Sequence, residues 1–90
     1  MKSEEPASLL EFPCRFPIKA MGKRSGEFEE LINTIVLGHA TLWPGEEFTT
    51  SVSSAGTYVS VTAVIEARSQ DQLDAIYQEL TDHELVLMAL

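Results

Sequence analysis

An alternating run in the second half of the chain is the feature that most constrains the fold. From residue 57 to 67 the side chains alternate between an apolar set and a set that includes polar residues, with the period of two that is typical of a β-strand. One face carries Val59, Val61, Ala63 and Ile65, and the other carries Tyr58, Ser60, Thr62 and Val64. A strand with one wholly apolar face must pack that face against a second layer of structure.

Two segments with helical spacing can supply that layer. The first starts after Ser25, a predicted N-cap, and has a stripe at i, i+3, i+4, i+7, i+8 and i+11 made of Phe28, Leu31, Ile32, Ile35, Val36 and His39. The second starts at Ser69, which has capping-box spacing with Gln72. Its stripe is Leu73, Ile76, Tyr77 and Leu80.

Three further segments read as strands. Residues 15–21 alternate, although Pro17 should leave a gap in the hydrogen-bond ladder. Residues 48–53 form a predicted hairpin with the run at 57–67, and residues 85–90 are apolar on both faces. The order βαββαβ predicts an α+β, ferredoxin-like sandwich, with a four-stranded antiparallel sheet and both helices on one face.

Composition limits the functional classes. Ninety residues predict one domain at 9–90 after a flexible leader at 1–8. A single cysteine excludes a disulfide framework or a multi-cysteine metal site, and no apolar run could span a bilayer. The acidic N-terminus does not read as a secretory signal, so we expect a cytoplasmic protein. A net charge of −8 opposes binding to nucleic acid or anionic lipid.

The charge is unevenly distributed. Residues 1–24 contain five of the six bases and three acids, a net charge of +2. Residues 25–90 contain Arg68 and eleven acids, a net charge of −10.

Several short motifs together resemble one family. They are Leu10-Glu11-Phe12-Pro13, Lys19 and Met21-Gly22, then Ser54, Gly56, Tyr58, Ser60-Val61-Thr62 and Ala67, then Ile76-Tyr77, Glu79-Leu80, Val86, Met88 and Leu90. Over residues 9–90 the chain resembles the YbeD-like family of small, uncharacterised bacterial proteins. The resemblance implies a ferredoxin-like, ACT-like regulatory domain and a link to lipoate metabolism. It provides no catalytic residues.

The residues themselves favour a protein that is not an enzyme. Acylphosphatases of this fold need an arginine in the first strand–helix loop and an asparagine near the hairpin. Arg24 fits the first position, but Asn33 falls inside a predicted helix. Cys14, His39 and His83 read as structural residues, because none is paired with an acid–base partner. We predict no catalytic residue, no metal site and no cofactor.

The loop after the first strand is one candidate site. Lys19, Gly22, Lys23, Arg24 and Gly26 lie just before a helix N-terminus, where free N–H groups favour an anion. This arrangement predicts, as one alternative, an ACT-like module that senses a small anionic metabolite. The other interpretation is that these bases only offset the glutamates that follow.

The uncovered sheet face and the last strand form the second candidate. Met21, Tyr58, Thr62, Val64 and Leu87 would leave apolar surface exposed, which usually indicates an interface. We therefore predict an adaptor or regulatory domain that binds a protein partner or a second copy of itself through this face or edge. The competing interpretation is that Leu9, Leu10 and Phe12 fold back over the sheet.

Overall fold

The computed structural model describes residues 11–90, which form six elements in the predicted order. They are β1 (Cys14–Lys23), α1 (Phe28–Leu37), β2 (Thr49–Val52), β3 (Tyr58–Ala67), α2 (Gln70–Asp82) and β4 (Met88–Ala89). The predicted leader at 1–8 and the predicted cover by Leu9 and Leu10 lie outside the described residues. Phe12 is described, and it packs against the core.

The strands form one antiparallel sheet in the order β2-β3-β1-β4. Both helices pack on one side of it, and the core lies between the two layers. The sheet contributes Ile18, Ala20, Val59, Val61, Ala63, Ile65 and Ala67, and the helices contribute Phe28, Ile32, Ile35, Val36, Leu73, Ile76 and Leu80. The predicted α+β sandwich is confirmed. Neither helix in residues 11–90 has the length and apolar character needed to cross a membrane.

The expected gap at Pro17 does not occur. β1 pairs with β3 without interruption, and Pro17 lies opposite Val64. The N–H of Lys19 points away from β3, because it donates to the carbonyl of Leu90 at 3.0 Å. Alternate residues of a strand direct their N–H groups to the same side. The missing N–H of Pro17 therefore falls on the β4 side, where β4 does not reach.

The two helix starts differ. Ser69 caps α2 as predicted, since its Oγ accepts the N–H of Gln72 at 3.1 Å. Gln72 is used differently from a capping box, because its side-chain oxygen accepts the N–H of Arg68 and its amide donates to the carbonyl of His39. The predicted cap at Ser25 is wrong: the N-cap of α1 is Glu27, which makes no side-chain cap bond.

The last strand is shorter than predicted. β4 comprises only Met88 and Ala89, with backbone hydrogen bonds from Leu87 and Leu90 to β1 on either side, although 85–90 was expected to be extended throughout. A turn occupies the start of that range, with the N–H of Val86 donating to the carbonyl of His83 and the N–H of Leu85 donating to His83 Nδ1. The expected position of β4, at the sheet edge beside β1, is confirmed.

A segment that the sequence left unassigned extends the sheet. Leu42 forms a bridge with Ile65, and the N–H of Trp43 donates to the carbonyl of Val64 at 2.8 Å. Leu42 packs against the core, so alternation places Trp43 on the side away from the helices.

Candidate functional site

The surface of the sheet that faces away from the helices is called the open face here. On β1 and β3 it is formed by the residues that alternate with the buried ones. The pairing places Met21 opposite Ser60, Lys19 opposite Thr62, and Lys23 opposite Tyr58. Four of the five predicted interface residues, Met21, Tyr58, Thr62 and Val64, therefore share this face. Tyr58 is 40% exposed, and the other three are half-buried.

The fifth predicted interface residue lies at the sheet edge. Leu87 precedes β4, and its N–H donates to the carbonyl of Met21 at 2.8 Å. It is 57% exposed, and Met88 and Leu90 beside it are also exposed. The edge next to the open face is thus apolar and uncharged over residues 85–90.

A row of bases follows β1 across the open face. Arg15, Lys19 and Lys23 are exposed and four residues apart, a spacing that keeps them on one side of a strand. Lys19 and Lys23 flank Met21, and their Cα atoms are about 13 Å apart at 3.3 Å per residue. Arg15 is bound by Glu46, with Nη2 2.7 Å from Oε2. Within residues 11–90 neither lysine forms an ion pair.

The open face also has a cavity of about 240 Å³. Its walls come from the central strands, from β2 and from the residue after β2: Met21, Tyr58, Val59 and Ser60, then Ser51 and Val52, then Ser53. The hairpin fixes this wall, because the N–H of Tyr58 donates to Ser53 Oγ at 3.1 Å and the Ser60 hydroxyl faces the carbonyl of Ser51. The volume lies below the range of about 300–1,000 Å³ typical of small-molecule sites.

The opposite side of the molecule has the opposite charge. Neither α1 nor α2 contains a lysine or an arginine. Together they carry six acids: Glu29, Glu30, Asp71, Asp74, Glu79 and Asp82. Within residues 11–90 the helices therefore carry acids without a lysine or arginine. The open face carries the row of bases, with Glu66 opposite Arg15 and Glu46 bound to it, so its free positive charge is centred on Lys19 and Lys23. Burial raises the pKa of Tyr77, which lies on α2 and so on the helix side.

The residues of the predicted anion site do not converge in one place. Lys19 and Lys23 belong to the open face. Gly22 is buried, and the Phe28 ring fills the space beside its Cα. The N–H of Arg24 donates to the carbonyl of Thr57 at 2.9 Å, which ties this residue to the hairpin turn. Gly26 has open space around it.

The start of α1 is also acidic. Glu27 is its N-cap, and Glu29 and Glu30 lie in its first turn, so carboxylates already occupy the positive end of the helix dipole. An open groove of about 560 Å³ next to it is lined by Glu27, Glu30, Leu31, Thr34, His83, Glu84 and Leu85. Such surroundings disfavour an anionic metabolite. The anion site stays a prediction.

The side chains considered for catalysis have structural contacts. His39 Nε2 lies 2.7 Å from Glu79 Oε1, which joins the end of α1 to α2. Cys14 is half-buried at the start of β1, opposite Ala67. Residues 11–90 contain no cluster of three or more His, Cys, Asp or Glu side chains that could hold a metal ion.

Sequence reasoning missed two features of the open face. The first is Trp43, which lies on the open face although the segment around it has no strand-like alternation. Lys19 and Lys23 were assigned to a loop site, although Lys19, Met21 and Lys23 have the spacing that places all three on one face of a strand.

Comparison with known proteins identifies a family. Residues 7–90 match the family described as "Protein of unknown function (DUF493)". The chain belongs to the DUF493 family. A UPF0250 protein of Neisseria gonorrhoeae is 43% identical to it over 89 residues, which are 99% of this chain and 98% of that one. A UPF0250 protein of Paraburkholderia phytofirmans is 45% identical over 83 residues, covering 92% and 93%. The resemblance to the YbeD-like family is confirmed.

A solved structure supports the same fold for this DUF493 chain. The solution structure of protein HP0495 from H. pylori aligns with a TM-score of 0.66 and covers 99% of this chain and 98% of that chain. The sequences are 11% identical, so the likeness concerns the fold alone. This neighbour is ferredoxin-like, in agreement with the predicted class.

Proposed function

We propose that this DUF493 protein is a non-catalytic adaptor or regulatory domain that binds another protein through the open face of its sheet. The observation that carries the proposal is the combination, on one uncovered sheet surface, of a small cavity and flanking lysines. Met21 and Tyr58 provide apolar walls, and Lys19 and Lys23 provide charge.

The energetics favour a macromolecule over a small ligand. Apolar burial contributes roughly 25 cal/mol per Å², so a cavity this small offers a small molecule little binding energy. A protein can cover the cavity, the lysines and the apolar edge at the same time. Aromatic side chains are enriched in such interfaces, and Tyr58 lies beside the cavity.

The edge at β4 extends the proposed surface. Leu87, Met88 and Leu90 are 57%, 50% and 65% exposed and lie beside β1. Natural sheet edges usually carry charged side chains that discourage pairing. Residues 85–90 contain none, and the nearest charged side chain before them is Glu84. A partner on the open face could therefore also contact this edge.

Site-specific photo-crosslinking in growing bacterial cells tests the proposal. Benzoylphenylalanine is placed at Tyr58 on the open face and, as the matched control, at Gln78, which is exposed on α2. We expect a discrete adduct with another protein from position 58 and none from position 78. The substitution Met21→Glu should remove the adduct without unfolding the domain, as checked by circular dichroism.

Adducts of equal yield from both positions, or none from position 58, would contradict the proposal. An adduct that survives Met21→Glu in a folded protein would contradict it as well, because Met21 forms part of the cavity wall.

A further inference from the structure

We infer that the open face binds an extended acidic segment of another protein, with one apolar side chain held between two carboxylates. The inference rests on the proposed function and specifies the chemistry of the partner. The apolar side chain would enter the cavity beside Met21 and Tyr58, and the carboxylates would pair with Lys19 and Lys23.

The geometry of β1 sets the spacing of this segment. Lys19, Met21 and Lys23 are at positions i, i+2 and i+4 of one strand and face the same side. A partner strand has the same rise per residue, so its own positions i, i+2 and i+4 can face them in register. The complementary pattern is an acid, any residue, an apolar residue, any residue and an acid.

Charge complementarity determines the sign of the charge that the bound segment carries. Apart from Arg15, which Glu46 binds, the bases that β1 presents on the open face are Lys19 and Lys23. An acidic segment meets these two bases, and it stays clear of the helices, which carry only acids. Complementary charge fixes the register and orientation of a partner more than it adds affinity.

A second copy fits this surface poorly. Two open faces packed on each other would bring Lys19 and Lys23 of one copy toward the same bases of the other. Packing the acidic helices of one copy on the open face of the next would be a head-to-tail contact, which leaves both ends of the assembly unsatisfied unless the copies close into a ring. The partner is therefore assigned as a different protein.

Two peptides of identical composition test the inference with the full chain. The first contains Glu-Thr-Leu-Thr-Glu, whose acids share a face with the leucine when the peptide is extended. The second contains Thr-Glu-Leu-Glu-Thr, whose acids lie on the opposite face. Binding is followed by amide NMR shifts at an ionic strength of about 0.1 M. We expect the first peptide to bind about tenfold more tightly, a difference of about 1.4 kcal/mol, and to shift Met21, Ser51 and Ser60.

Charge reversals on the protein give the matched comparison. The double variant Lys19→Glu/Lys23→Glu should weaken binding of the first peptide by about tenfold, because each attraction becomes a repulsion. The control Arg68→Glu makes the same kind of change at an exposed base beyond the far end of β3, and it should change the affinity by less than about twofold.

Three results would overturn the inference. One is equal binding of the two peptides, and another is an equal loss of affinity in Arg68→Glu. The third is a crosslink from position 58 of the free protein that persists when the first peptide is added. Such a crosslink could go to residues 1–10 of the same chain or to a second copy. If the peptide fails while the cellular adduct from position 58 persists and depends on Met21, the proposed function stands and the partner chemistry is wrong.

Discussion

At Gly22, β1 and α1 approach each other too closely for a side chain. A Cβ atom added there would overlap the Phe28 ring and would lie 2.5 Å from the carbonyl oxygen of Leu85. The carbonyl belongs to the backbone, so a change of rotamer cannot relieve the contact. Packing thus accounts for this glycine without a ligand.

The substitution Gly22→Ala should lower the free energy of unfolding by about 1–3 kcal/mol, as overpacking of a core does. Urea denaturation measures the change. The matched control is Gly26→Ala, since nothing lies within 4 Å of a Cβ atom at that position. This control should leave stability unchanged or raise it by up to about 1 kcal/mol. Similar effects of the two substitutions would contradict the packing explanation.

Among the elements, α2 and α1 differ in how their first turns are satisfied. Ser69 Oγ accepts the N–H of Gln72, whereas the start of α1 has no side-chain cap. Ser69→Ala should therefore lower the free energy of unfolding by about 1 kcal/mol. Ser25→Ala should change it by less than about 0.5 kcal/mol. Chemical denaturation of both variants checks the difference, and a larger loss in Ser25→Ala would show that Ser25 does cap α1.

The elements were predictable where one side of a segment is buried. The alternation of β3 and the stripes of both helices predicted their faces correctly, because burial imposes a strict period on such segments. β4 was overestimated, since its apolar residues satisfy any extended pattern while the bonds of His83 to Leu85 and Val86 impose a turn. Trp43 could not be placed, because its position depends on a hydrogen bond to Val64, distant in sequence.

At the scale of the whole molecule, the open face could be predicted only in part. Alternation identified Met21, Tyr58, Thr62 and Val64, since they share a face with no helix over it. The cavity could not be predicted, because its far wall is formed by Ser51 and Ser53 through the register of the hairpin. The spacing of Lys19, Met21 and Lys23 was sufficient to predict that they share one face of a strand. The position of the two lysines just before a helix start favoured a loop site instead.

The two-sided charge makes the encounter with an acidic partner depend on distance. With a Debye length of about 30 Å at 0.01 M salt, an approaching acidic segment experiences the whole net charge of −8 and is repelled. At about 0.1 M salt this length falls to about 10 Å, so the segment responds mainly to the nearby lysines. At about 1 M salt it is about 3 Å, and the attraction is screened too.

The association rate constant, measured by stopped flow, should therefore pass through a maximum near physiological salt. In Lys19→Glu/Lys23→Glu it should only rise as salt is added. The protein would then recognise its partner by attraction that acts at contact range and would repel acidic molecules that approach its helices.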